Sequence, residues 1–211
     1  MKIFAESVDC SLGSTVLYLY FAIVFLSGCG LFSTREPESP VAGGQSFTPP
    51  TMPSLVIENL KNAVKEKNAE NFTLCLADTA RGDYHFYRFE PAAEVAARYA
   101  TLFSSWGVTA ERQAFISLMS KIPADVPPSL AISGGYFDVI TQDSAVYIGD
   151  YLLVVNHSAT AIPKRGTGVM RLTIAPNSGG QWSIIRWSDA NSAVADKAAT
   201  TWSTFKAQFS N

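Results

Sequence analysis

The chain has 211 residues and is close to neutral, with 16 Lys+Arg against 18 Asp+Glu and a formal net charge of −2. No basic patch or acidic run stands out, so nucleic-acid binding, which needs clustered cations against phosphates, is not supported. With 47% apolar residues the chain is long enough to bury the core of one domain.

Residues 15–26 read TVLYLYFAIVFL, an uncharged run too short for a spanning helix of about 20 residues. It matches the apolar region of a removable signal peptide. Leu26-Ser27-Gly28-Cys29 follows at once, and this tetrapeptide resembles the lipobox of bacterial lipoproteins. The resemblance implies cleavage between Gly28 and Cys29, with acylation of the Cys29 sulfur. The amino-terminal region departs from the usual positive charge, because Lys2 is opposed by Glu6 and Asp9. The alternatives are a plain secretory signal or a buried helix with an incidental cysteine. Acylated Cys29 would anchor the protein to a lipid bilayer, since each buried CH₂ contributes about 0.8 kcal/mol and two chains hold stably. The expected location is the cell envelope. Gly30 rather than Asp after the cysteine resembles outer-membrane sorting in diderm hosts, with the domain facing the periplasm.

Residues 29–53, rich in Pro, Ser, Gly and Thr, read as a tether after a signal peptide of residues 1–28. Residues 54–211 read as one domain. Its first helix carries Val56, Leu60, Ala63 and Val64 on one face, with Thr51 or Ser54 as its expected cap. Asn68–Cys75 reads as a second, short helix. His85–Glu90 alternates as a short strand. Pro91 opens a helix bearing Val95, Tyr99, Leu102, Phe103 and Trp106, which Gly107 stops. Another helix, capped by Thr109, carries Phe115, Leu118, Met119 and Ile122.

The period then changes to that of strands: Leu130–Thr141, Ala145–His157, Thr167–Ala175 and Gln181–Ser188, with hairpin turns at 142–144 and 176–180. A closing helix carries Trp202, Phe205 and Phe209. The fold class is α+β, with helices packed on a curved four- to five-stranded antiparallel sheet and a C-terminal helix. An odd spacing puts Trp182 and Trp187 on opposite strand faces. One of them therefore faces outward, and the C-terminal helix is expected to cover part of that outer face.

Cys10 leaves with the signal and Cys29 is consumed by acylation, so Cys75 is left without a disulfide partner. Its setting between Leu74 and Leu76 favours a buried thiol over a reactive one. His85 and His157 are too far apart in the sequence to form a metal signature. No phosphate loop, dinucleotide fingerprint or nucleophile elbow occurs, and neither a cofactor nor a metal is expected.

The element order, ending in the strand QWSIIRWSD with Trp182, Ile184 and Trp187, resembles the nuclear transport factor 2-like superfamily. That resemblance implies a cone, in which a bent sheet wraps a helix and leaves a pocket at its open end. Some members are isomerases or dehydratases, and others only bind partners or dimerise through the sheet's outer face. Enzymes of this kind place an Asp, His or Tyr inside the cone. Tyr136 and Asp138, reading as inward with Leu130, Ile132 and Ile140, are the weak pocket candidates, against the alternative that Asp138 is solvated. The aromatics Tyr84, Phe86, Tyr87, Phe89, Tyr99, Phe103 and Trp106 either line a pocket or fill the core. Two functions stand against each other. One is a non-catalytic binding or structural module, partnered by an envelope protein, a small apolar ligand or a second copy at the sheet face. The other is a small-molecule isomerase or dehydratase. A cavity of about 300 Å³ or more inside the cone favours the enzyme, and a filled cone the module.

Overall fold

The computed structural model describes residues 46–192 and 200–210. The signal segment, Gly28, Cys29 and the tether as far as residue 45 lie outside the described residues. The first helix, α1, spans Pro53–Lys65. Pro53 supplies the pre-set first turn, and Met52 stands at the N-cap with no side-chain bond, so neither Thr51 nor Ser54 caps the helix. Val56, Leu60, Ala63 and Val64 are fully buried, each large side chain contributing about 1.5–3 kcal/mol. Buried Asn59 bonds Thr48 on both backbone groups, and the Trp182 amide donates to the Pro50 carbonyl. Part of the expected tether is thus held on the domain.

Asn68 caps α2 (Ala69–Leu74) through its side-chain oxygen. Strand β1, Arg88–Glu90, is shorter than expected. The expected single helix after Pro91 is broken at Tyr99 into α3 (Ala93–Arg98) and α4 (Ala100–Phe103). Helix α5 (Val108–Met119) starts from Gly107 rather than Thr109 and buries Ala114, Phe115, Leu118 and Met119. Phe115 stacks on Phe72 at 4.2 Å.

Strands β2 (Ser129–Ile140), β3 (Ala145–Val154), β4 (Arg165–Pro176) and β5 (Trp182–Ala190) form an antiparallel meander. The sheet order is β1-β5-β4-β3-β2, with β1 parallel to β5. Tyr147, Tyr151, Leu153, Met170, Leu172, Ile174, Ile184 and Trp187 line its inner, concave face. The last helix, α6, spans Trp202–Gln208.

Two expectations are overturned here. The register steps from Thr173↔Arg186 to Ile174↔Ile184, so β5 carries one extra residue, Ile185. That bulge reverses the alternation, and Trp182 and Trp187 face the same, helix-bearing side. Helix α6 does not cover the outer face either. Trp202 meets Trp187 at 4.7 Å in an edge-on pair, which puts α6 inside the concave face.

Candidate functional site

The pocket candidates Tyr136 and Asp138 do not enter the cone. Strand β2 bulges between Ser133 and Tyr136 and again between Phe137 and Val139. Gly134, at φ +59°, permits the first bulge. The extra residue moves Phe137 to the inner face, where it meets Tyr147 at 5.1 Å, and turns Tyr136 outward beside Ile148. Tyr136 is 53% exposed. Asp138 pairs with Arg171 at 3.9 Å, both half exposed. Of the aromatic cluster, Tyr84 and Phe86 are exposed, whereas Tyr87, Phe89 and Trp106 are buried in the core.

The inside of the cone holds charges brought together from distant parts of the chain. Glu111 on α5 is 1% exposed and Lys206 on α6 is 3% exposed. Their ion pair spans 2.6 Å. The same carboxylate oxygen accepts from the Tyr87 hydroxyl at 2.6 Å and from the Trp106 indole at 2.8 Å. The Lys206 ammonium also lies 3.4 Å from the ring centre of Phe89 and 4.0 Å from that of Trp187. Burial pushes Lys206 below the usual amine range, opposed by the Glu111 and Asp189 carboxylates. Burial raises Tyr87, and the Glu111 charge raises it further.

A second cluster fixes the start of α6. Asp189 accepts from the Tyr151 hydroxyl at 2.7 Å, from the Ser203 amide at 2.7 Å and from the Ser203 hydroxyl. Tyr151 in turn receives the Trp202 amide at 2.7 Å, and Ser203 receives the Ala92 amide at 2.9 Å. Burial raises the Asp189 carboxyl, while the Ser203 and Tyr151 hydrogen bonds and the Lys206 charge pull it down. The two clusters tie α6 to α5, β3, β5 and the turn into α3.

The space left beside the ion pair, among Phe72, Phe115, Trp202 and Phe205, is about 10 Å³, room for about one water molecule and far short of a ligand pocket. A larger cleft of about 290 Å³ opens to solvent beside α3 and α6, among Glu94, Arg98, Tyr99, Thr204 and Gln208. Cys75 is buried with its thiol on the Asn71 carbonyl, and burial pushes that thiol far up. His157 is fully buried beside Phe209, its Nε2 on the Pro163 carbonyl at 3.1 Å. Among the described residues no cluster of His, Cys, Asp or Glu fits a metal ion, and no helix is long and apolar enough to cross a membrane.

Sequence reading missed Glu111 and Lys206. Both left a trace: Glu111 precedes Ala114, Phe115 and Leu118 on one helix stripe, and Lys206 lies between Trp202 and Phe209 at helical spacing. A charge placed on a core-facing stripe signals a buried partner.

No protein-family model matches the chain, and no curated protein matches it in sequence. Solved structures do match in shape. A protein of Novosphingobium aromaticivorans provisionally named a scytalone dehydratase aligns with a TM-score of 0.51 at 13% identity, over 71% of this chain and 89% of that one. A nuclear transport factor 2-like superfamily protein of Salmonella enterica gives 0.49 at 12% identity, over 68% and 90%. A Streptomyces avermitilis protein provisionally named a dehydratase of the same family gives 0.47 at 9% identity, over 67% and 94%. At such identities the likeness carries the fold alone: the domain shares its α+β fold, helices packed on a five-stranded, mostly antiparallel sheet, with the Novosphingobium protein.

Proposed function

We propose that this protein is a lipid-anchored component of the bacterial cell envelope whose cone domain is a non-catalytic binding or structural module. The observation that supports the second half is the occupation of the concave face by α6. Its apolar side chains and the Lys206–Glu111 pair leave about 10 Å³ of free space between α5 and α6. The first half rests on Leu26-Ser27-Gly28-Cys29 after an apolar run of signal length. On this reading the bilayer is met through acylated Cys29, at the outer membrane in a diderm host. An envelope protein or a second copy is met at the outer sheet face, near whose β2–β3 end Tyr136 and Val139 are exposed.

Cell fractionation with mass spectrometry of the mature amino terminus tests the anchor. The wild-type chain should sediment with membranes and start at an acylated Cys29. Cys29→Ser should stay unprocessed. A Cys29→Ser chain that matures at the same residue and still sediments would overturn the anchor. Isomerase or dehydratase turnover that Glu111→Gln abolishes would overturn the non-catalytic reading.

A further inference from the structure

We propose that the centre of the cone is a binding site for a primary alkylammonium group, occupied in this conformation by Lys206 as an internal ligand. The inference deepens the binding-module reading and rests on its non-catalytic half, not on the anchor. The walls have the chemistry of a cation cage. Phe89 and Trp187 present ring faces at 3.4 and 4.0 Å to the nitrogen, and such faces attract ammonium most strongly when dry. Glu111 supplies the counter-charge, oriented by two donors, Tyr87 and Trp106, on the oxygen that meets the ammonium.

Four of these five groups lie before or on α5, and the fifth, Trp187, lies on β5. None belongs to α6, so the cage is complete without the helix that fills it. Stability alone would not select this filling, because a buried ion pair is commonly matched or bettered by apolar residues of the same volume. Helix α6 is short, seven residues, and it meets the cage through the Lys206 ammonium and through Trp202, whose ring packs edge-on against Trp187 at 4.7 Å. A soluble amine therefore competes with Lys206 for one carboxylate and two rings.

The test uses the full chain in detergent with n-butylammonium, and 1-butanol as the neutral control. In the wild-type protein, butylammonium should speed amide hydrogen exchange across residues 202–209 by about tenfold as it takes the place of Lys206, and butanol should not. In Lys206→Ala, butylammonium should raise Tm in a saturable manner, and Glu111→Gln in that background should abolish the effect. If Lys206→Ala does not fold alone, recovery of its near-ultraviolet circular dichroism on adding the amine replaces the Tm readout. Equal effects of amine and alcohol, or no effect of either, overturn the proposal. Rescue of Lys206→Ala with unchanged exchange in the wild type also overturns it, because the pair is then structural only. None of these readouts involves Cys29, so failure here leaves the membrane anchor untouched, and failure of the anchor leaves this result standing.

Discussion

Replacing Glu111 with Gln isolates the charge from the hydrogen bonds. The Gln oxygen still accepts from Tyr87 and Trp106, which hold the carboxylate at 2.6 and 2.8 Å, and only the negative charge is lost. Lys206, 3% exposed, is left as a buried cation with Asp189 as its remaining charged neighbour. Removing one member of a buried pair costs about 3–5 kcal/mol. For a domain of this size each kcal/mol lowers Tm by about 2–4 °C, so calorimetry should show a drop of roughly 6–20 °C. The double variant Glu111→Gln/Lys206→Met removes both charges and keeps the acceptor for Tyr87 and Trp106. It should return to within about 1.5 kcal/mol of the wild type, giving a large favourable coupling in the double-mutant cycle. A single-variant cost below about 1 kcal/mol, or a double variant worse than the sum of the singles, would refute the buried-charge account.

Three further outcomes are expected. Burial raises the Asp189 carboxyl, so the folded state keeps its proton to higher pH than the unfolded chain. Its contribution is therefore full below the unfolded value and is lost as pH rises through the folded one. The stability gap between wild type and Asp189→Asn should narrow as pH rises from about 4 in urea titrations, and a gap that widens contradicts the assignment. A Cβ on Gly166 would lie 2.6 Å from the Phe205 ring and 3.3 Å from the Thr200 carbonyl. Gly166→Ala should thus cost about 1–3 kcal/mol by overpacking and loosen α6 first in hydrogen exchange, whereas a neutral substitution would place α6 elsewhere. The buried Cys75 thiol should resist a disulfide reagent in the native protein and react once unfolded, and prompt native labelling would contradict its burial.

Local patterns carried much of the fold. The apolar stripe of α1 and the four long strands stand out in the sequence because their periods are 3.6 and 2 residues, and the strand ends fall within a few residues of those expected. What was not legible depends on single extra residues or on distant pairing. Ile185 and the Gly134-Gly135 bulge each shift the alternation by one, which turned Trp182 inward and Tyr136 outward against a strict two-residue period. The parallel seat of β1 on β5 joins residues 98 positions apart, and no local spacing reports it. The Glu111–Lys206 pair is separated by 95 positions. Each charge was visible on an apolar stripe, but their meeting was fixed only when α6 turned into the cone. The expected seat of α6 on the outer face followed from the premise that Trp182 and Trp187 face opposite ways, so the single bulge at Ile185 accounts for both differences.

The irregular β2 has a consequence for how this protein survives at high local concentration. It is an edge strand of twelve residues, and an unpaired edge of that length invites a foreign strand to add on and seed fibrils. The two register breaks leave Ser129–Ser133 as its longest regular stretch. An incoming chain would find the donors and acceptors out of step beyond that stretch, so propagation along the edge stalls after about two hydrogen-bond pairs.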